Sequence, residues 1–220
     1  MTTVERFHRV RRVLERRQPD LTVVMENVHK PHNFSAVVRT CDAVGVFAAH
    51  AVTPDGTLSV ADAVAMGSRQ WLRVHTHSSL YECFDRLHDD GFRILAAHPD
   101  ERAVDYRAAD YTRPTAVLLG EERDGVSAEA SARADGWIAI PMRGMVASLN
   151  VSVAAAIILF EAERQRAAAG LYDRRRLDDE AYRTTLFEWA YPTLAEKCRR
   201  EGVPYPRLGE DGELLGEVPR

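Results

Sequence analysis

The chain has 220 residues, 45 % of them hydrophobic and 28 % charged, with a formal net charge of −4. This is the composition of a folded globular protein, not of a disordered or collagen-like chain, and at this length roughly 70 % of the unfolded surface becomes buried without disulfide or metal staples. The longest apolar run, Val153 to Phe160, falls far short of the ~18 residues of a membrane span. The net acidity excludes a general attraction to nucleic acid, so only local clusters of charge can supply one.

The elements follow in chain order. Val4, Phe7, Val10 and Leu14 recur at helical spacing, which predicts an amphipathic helix over 3–17 that stops before Pro19. Its polar side is basic: residues 6–17 contain Arg6, Arg9, Arg11, Arg12, Arg16 and Arg17 against the single acid Glu15. The charges are not followed by an uninterrupted apolar stretch, so no secretory signal is read and a cytoplasmic location is expected. Short apolar runs at 21–26, 46–52, 71–76, 92–98, 115–120 and 136–141 predict strands. Helical patterns at about 34–44, 58–66, 79–89, 127–134 and 150–168 alternate with them. Strands apolar on both faces, alternating with helices, indicate an α/β domain on a buried, mainly parallel sheet. Beyond Gly170 the chain becomes charged and offers one further helix near 178–200, followed by a loose tail rich in Gly and Pro.

Cys41, Cys83 and Cys198 are odd in number, far apart and outside any C-x-x-C spacing. That argues against a disulfide framework and a zinc knuckle, and leaves reduced thiols, two of them in the core. His29 and His32 read as loop histidines because no third ligand accompanies them at convincing spacing, so no metal is expected. Of 29 basic residues only Lys30 and Lys197 are lysine, and Arg174-Arg175-Arg176 and Lys197-Arg199-Arg200 form further basic clusters. Arginine forks match phosphate geometry, although solvated helix faces and codon bias produce the same enrichment.

Three segments carry candidate chemistry. In "NFSAVVRTCDAVG" (33–45) Phe34, Val37, Val38, Cys41 and Val44 form a buried stripe, with Asn33 placed to cap the helix and Gly45 to end it. Ser35, Arg39 and Asp42 share the polar side, as either a surface ion pair or a site. In "LGEERDGVS" (119–127) an apolar strand runs into Gly120, two carboxylates and Gly125, with Ser127 as an N-cap. That pattern is a ligand loop at the carboxyl end of a parallel strand or a plain connection. Neither a P-loop nor a G-x-G-x-x-G follows any strand, which disfavours ATP and NAD. In "IPMRGMVASLNVSVAAA" (140–156) a strand end leads through a loop to the first turn of an apolar helix. There Ser148 or Asn150 reads as an N-cap, and Met142 and Met145 read as core filler.

Together and in this order, the three segments resemble the sequence motifs of the SPOUT superfamily of RNA methyltransferases. With "RRQPDLTVVMENVHKPHN", "DYTRP" and "SLNVSVA", the chain looks like the TrmH family, from about Arg6 to about Arg207. The resemblance implies a SPOUT-type α/β knot, with a central mainly parallel sheet flanked by helices and helical extensions at both ends. The division it suggests is a basic helix at 1–18, a methyltransferase core at 19–169 and a helical extension with tail at 170–220. It also implies S-adenosyl-L-methionine as cofactor, tRNA as substrate, a homodimer with its active site at the subunit interface, and no membrane or metal partner.

By the same resemblance Asn33 and Arg39 match the first motif, Glu122 the second by its G-x-E spacing, and Ser148 and Asn150 the polar pair of the third. The methyl donor is expected on backbone groups around Ala97, Leu119, Gly120, Ile140, Met142 and Leu149, and tRNA phosphates on Arg9, Arg11, Arg12 and Arg16. The reaction expected is methylation of the ribose 2′-hydroxyl of guanosine 18 in the D-loop of tRNA. The rivals are 2′-O-methylation of ribosomal RNA and a non-catalytic tRNA-binding or folding protein. Arg39 is the family's activator of that hydroxyl. A guanidinium stays protonated, however, so an orienting and alkoxide-stabilising clamp is the alternative.

Overall fold

The structure is a computed structural model that describes residues 3–53, 71–121 and 125–216. The predicted helix at 58–66 therefore lies outside the described residues. No helix among the described residues is long and apolar enough to cross a membrane. The chain divides into two compact units, one made of 18–171 and the other of 1–17 together with 172–220.

The larger unit is built on strands β1 (Leu21–Glu26), β2 (Ala48–Val52), β3 (Arg73–His77), β4 (Arg93–Ala97), β5 (Val104–Asp105), β6 (Thr115–Leu119) and β7 (Gly136–Ala139). They form one seven-stranded sheet in the order β3-β2-β1-β6-β4-β7-β5. Every pairing in it is parallel, as the two-sided apolar runs required. β1 and β6 occupy the centre and are buried along their whole length. Alternate residues of β1 serve opposite layers: Leu21, Val23 and Met25 pack in one core cluster, while Val24 packs in the other.

The first layer contains α2 (Pro31–Ala43) and α5 (Val151–Ala168). The second contains α3 (Leu80–Asp89) and α4 (Ala128–Arg133). On α5, Val151, Ala155, Ile158, Leu159 and Ala162 make the buried stripe, while Val153 and Phe160 are exposed. The two-residue strand β5 and the 3₁₀ turn at Tyr106–Ala108 carried no readable apolar pattern.

Arg166, on the last turn of α5, is completely buried. Its guanidinium donates to the carbonyls of Tyr111 (2.8 Å), Asp20 (2.9 Å) and Arg113 (3.1 Å), to Gln18 Oε1 (2.9 Å) and to Asp20 Oδ1 (2.7 Å). Five acceptors meet the five donors of the fork, which is why a full charge is tolerated there. This cluster ties the start of β1 and the turn before β6 to α5.

The smaller unit contains α1 (Val4–Glu15), α6 (Asp179–Ala190) and α7 (Pro192–Glu201). Thr3 caps α1, and Phe7, Val10 and Leu14 are its buried stripe, whereas Val4 is exposed. The single helix expected at 178–200 is two helices. Pro192 cannot donate to the preceding turn, so α6 ends at Ala190 with Tyr191 as its cap, and Pro192 opens α7. The tail is more regular than its composition suggests. Arg207–Leu208 (β8) pairs antiparallel with Leu214–Leu215 (β9), across a turn where Gly212 adopts φ 86°. A side chain at Gly212 would meet the ring of Phe7 at 2.5 Å. All three cysteines are buried.

Removing one partner of a buried ion pair leaves the other charge uncompensated, at a cost of about 3–5 kcal/mol. Arg166→Ala is accordingly expected to lower the thermal midpoint of the larger unit by roughly 10 °C. Arg164→Ala, at an exposed position of the same helix, should change it by little. Calorimetric melting of both variants checks the difference.

Candidate active site

Because every strand of the sheet runs the same way, the loops after β1, β4, β6 and β7 emerge along one edge. That is where ligands of open α/β sheets bind. A cavity lies there, lined after β4 by Ala97, His98 and Pro99 and at the end of β7 by Ile138, Ala139 and Ile140. Met142, Ala147, Ser148 and Leu149 of the following loop line it too, as do Ala154 and Ile158 of α5. It is a compact cavity of about 110 Å³, partly open to solvent. The wall is mainly aliphatic, with Ser148 and His98 as its polar side chains.

The first motif enters this edge through Asn27, which takes φ 51°, a left-handed conformation that asparagine tolerates. α2 then starts at Pro31 with Lys30 at the cap position. Asn33 is not the predicted N-cap, because proline's fixed φ opens the helix two residues earlier and places Asn33 inside the first turn. There it is buried, and its Oδ1 accepts a hydrogen bond of 3.2 Å from Asn150 Nδ2. Arg39 is exposed further along α2 and is not among the residues lining the cavity.

Of the two candidate caps of α5, Asn150 is the one used. Its Oδ1 accepts from the Ser152 amide at 2.9 Å and from the Ser152 hydroxyl at 2.6 Å. Oxygen and nitrogen of one amide are therefore divided between the helix's own first turn and the first motif. Ser148 instead faces the cavity. Met142 also lines the cavity and Met145 is fully exposed, so neither methionine is core filler.

The second motif is a tight loop. Glu121 and Gly125 exchange backbone hydrogen bonds of 2.9 and 3.0 Å, and Gly125 has φ 71°. A Cβ on Gly120 would lie 2.0 Å from the Gly125 carbonyl oxygen, so only glycine fits. The loop is anchored from β1: buried Glu26 accepts from the Ser127 amide at 3.0 Å and from its hydroxyl at 2.5 Å. Ser127 also caps α4 through the Ala130 amide. Glu122 lies outside the described residues.

Four of the six expected donor-contacting residues, Ala97, Ile140, Met142 and Leu149, line the cavity. Leu119 and Gly120 do not. They are buried at the end of β6, the strand beside β4. His98, Pro99, Ala147, Ala154 and Ile158 line it without having been singled out. The position of His98 and Pro99 just past an apolar strand was the available signal. Glu26 was read only as part of a strand, and nothing in its spacing pointed to Ser127, 101 residues away.

The sequence matches the SpoU rRNA Methylase family over residues 20–160 and the C-terminal SpoU rRNA methylase model over residues 164–217. This chain belongs to the SpoU methylase family. The resemblance to TrmH proteins holds within it. The chain is 50 % identical over 215 residues to the tRNA (guanosine(18)-2′-O)-methyltransferase of Escherichia coli K12, covering 97 % of this chain and 94 % of that one. The crystal structure of the Aquifex aeolicus TrmH/SpoU tRNA modifying enzyme superposes with a TM-score of 0.79 at 42 % identity, over 86 % of this chain and 97 % of that one. The SpoU methyltransferase AviRb from Streptomyces viridochromogenes, in complex with AdoMet, superposes with a TM-score of 0.60 at 27 % identity, over 70 % and 59 % of the two chains.

The family's second motif depends on the absence of a side chain at Gly120. Gly120→Ala is expected to part the Glu121–Gly125 pair and to expose both amides. Hydrogen exchange should then quicken at those two amides while those within β6 remain slow.

Proposed function

We infer that this protein methylates the ribose 2′-hydroxyl of guanosine 18 in the D-loop of tRNA, using S-adenosyl-L-methionine. The observation that carries the reading is the cavity at the carboxyl edge of the sheet, walled by the third motif and joined to the first through Asn33 and Asn150. High identity to a tRNA guanosine-18 methyltransferase over nearly the full chain supports the substrate. AdoMet in the related AviRb complex supports the cofactor. The aliphatic wall of Ala97, Ile138, Ile140, Leu149 and Ile158 suits a flat purine.

The cofactor, when bound, supplies an electrophilic methyl on sulfonium. The ribose 2′-oxygen would take up that methyl, and its hydroxyl proton would pass to solvent. The chain's part is to orient the two reactants in line and to exclude water, which lowers the entropic part of the barrier. Asn150, held by both Asn33 and Ser152, is a rigid positioning residue in this reading, and Ser148 contributes a hydroxyl on the cavity wall. Glu122 is retained as the acid of the second motif.

Arg39 sits outside the wall, which supports a site completed by a second copy of the chain. Exposed Met145, Val146, Val153 and Phe160, on the third-motif loop and the adjoining helix α5, form the apolar surface a homodimer would cover. A protonated guanidinium brought in this way orients the ribose phosphate and stabilises the alkoxide.

The basic terminal unit is the proposed tRNA-binding part, and the division into basic helix, core and extension is kept as its functional plan. Arg12 and Arg16 share a groove with Tyr172, Arg174 and Arg175. Arg9 is exposed, and Arg11 is paired with Glu15 at 3.3 Å. Phosphate contacts made there give a salt-sensitive affinity. A cytoplasmic location accords with such a substrate.

Incubating the purified protein with an unmodified tRNA transcript and labelled donor should place one methyl on the ribose of guanosine 18, resolved as a nuclease-resistant dinucleotide. No incorporation there overturns the substrate, and incorporation only into ribosomal RNA fragments supports that alternative instead. tRNA binding without donor binding would identify a non-catalytic RNA chaperone. Arg39→Ala is expected to reduce transfer by about 10²-fold or more while calorimetric donor affinity is unchanged. Retained turnover removes Arg39 from the mechanism.

A further inference from the structure

The opposite layer of the larger unit carries a cluster that methyl transfer does not use. His50 of β2 and His75 of β3 are register partners, and His77 follows two residues later, so three imidazoles project from one face of the sheet. α3 covers that face and brings Cys83 against it. His50, His77 and Cys83 are 6 %, 4 % and 0 % exposed. One donor atom from each lies within 4.8 Å of the others. His50 Nδ1 and His77 Nε2 are hydrogen-bonded at 2.9 Å, and the His50 ring stacks on that of His77 and lies tilted against that of His75, each at 5.2 Å between centroids.

This is costly chemistry for a core position. His77 Nδ1 is buried with no hydrogen-bond partner, and the Glu82 carboxylate, at 3.9 Å, is beyond hydrogen-bond reach. An unsatisfied buried nitrogen of this kind destabilises the fold unless a partner meets it. We propose that His50, His77 and Cys83 bind a zinc ion that fastens α3 to the outer strands β2 and β3.

Imidazole and thiolate are the donor set that selects zinc over magnesium or calcium. Zn–N and Zn–S bonds of about 2.1 and 2.3 Å place ligand atoms roughly 3.5 Å from one another, so the two imidazole nitrogens, 2.9 Å apart, separate slightly to admit the ion while the Cys83 sulfur stays within the 4.8 Å that spans the cluster. The fourth position falls to water or to Glu82. Burial disfavours the protonated form of both His50 and His77, and a neutral imidazole offers a lone pair to a metal. Burial pushes the Cys83 thiol up to about 12. Zinc replaces that proton, which leaves to solvent, and the thiolate reduces the charge of the site to +1. Arg86 opposes a cation here, but it is exposed and faces Asp90 at 4.0 Å, while Glu82 favours one.

The test uses the full-length protein, freed of metal by a chelator and titrated with Co²⁺ and then Zn²⁺. The expected result is one Co²⁺ per chain, with a near-ultraviolet thiolate-to-cobalt band and the intense visible absorption of tetrahedral cobalt, both erased by Zn²⁺. Cys83→Ser should remove the thiolate band, whereas Cys41→Ser should retain it. Should Cys83→Ser fail to fold, His77→Gln serves instead and is expected to weaken Co²⁺ binding at least tenfold. Zn²⁺ should also raise the melting temperature of wild type. A wild-type protein that binds Co²⁺ without a thiolate band, or whose band persists in Cys83→Ser, overturns the site. None of these readings depends on RNA methylation.

Discussion

Parallel pairing of β1 with β6 is the constraint on which the larger unit rests. Five consecutive register pairs, from Leu21 with Thr115 to Met25 with Leu119, make these strands the middle of a sheet that must be covered on both faces. A parallel ladder cannot be closed by hairpins, so every connection crosses over and every carboxyl end falls on the same edge. The loops bearing the three motifs therefore converge there although they are distant in sequence. Arg166 reinforces the arrangement from the opposite end of α5, through five hydrogen bonds to groups before β1 and β6.

At the carboxyl edge the same side chains serve stability and chemistry. Asn150 satisfies the first turn of α5 through its oxygen and reaches Asn33 through its nitrogen. Glu26 holds the second motif by accepting two hydrogen bonds from Ser127, which in turn caps α4. Such double duty is economical in a site whose partners must keep one geometry, because a group already immobilised by the fold loses no further entropy on meeting a ligand. It also means that a capping motif and a catalytic motif are not competing descriptions of the third segment.

The smaller unit follows a different logic. Its interior is aromatic, with Phe187 stacked on Tyr205 at 4.6 Å, and the buried guanidinium of Arg17 lies 5.2 Å from the Trp189 ring centroid. Its exterior keeps Arg9, Arg12 and Arg16 exposed. The net charge of the whole chain hides this, since acidic residues elsewhere cancel the local field. Affinity for a polyanion depends on that local field, which falls off within about 10 Å at ordinary salt.

Much was legible in the sequence because local physics determines it. The six long strands, and every predicted helix of the core that falls on described residues, follow from apolar periodicity. Ser127 as a cap and Gly45 as a helix end follow from backbone hydrogen bonding and positive φ. The three motifs and their order were sufficient for the family. What only the tertiary structure decided depends on atoms distant along the chain. Examples are the division of the Asn150 amide, the Glu26–Ser127 anchor, the exposure of Met145 and the gathering of His50, His77 and Cys83, whereas the break at Pro192 was locally encoded and overlooked. Periodicity reports which side of an element is buried, whereas the partner met on that side is set by strand order, and strand order is a property of the whole sheet.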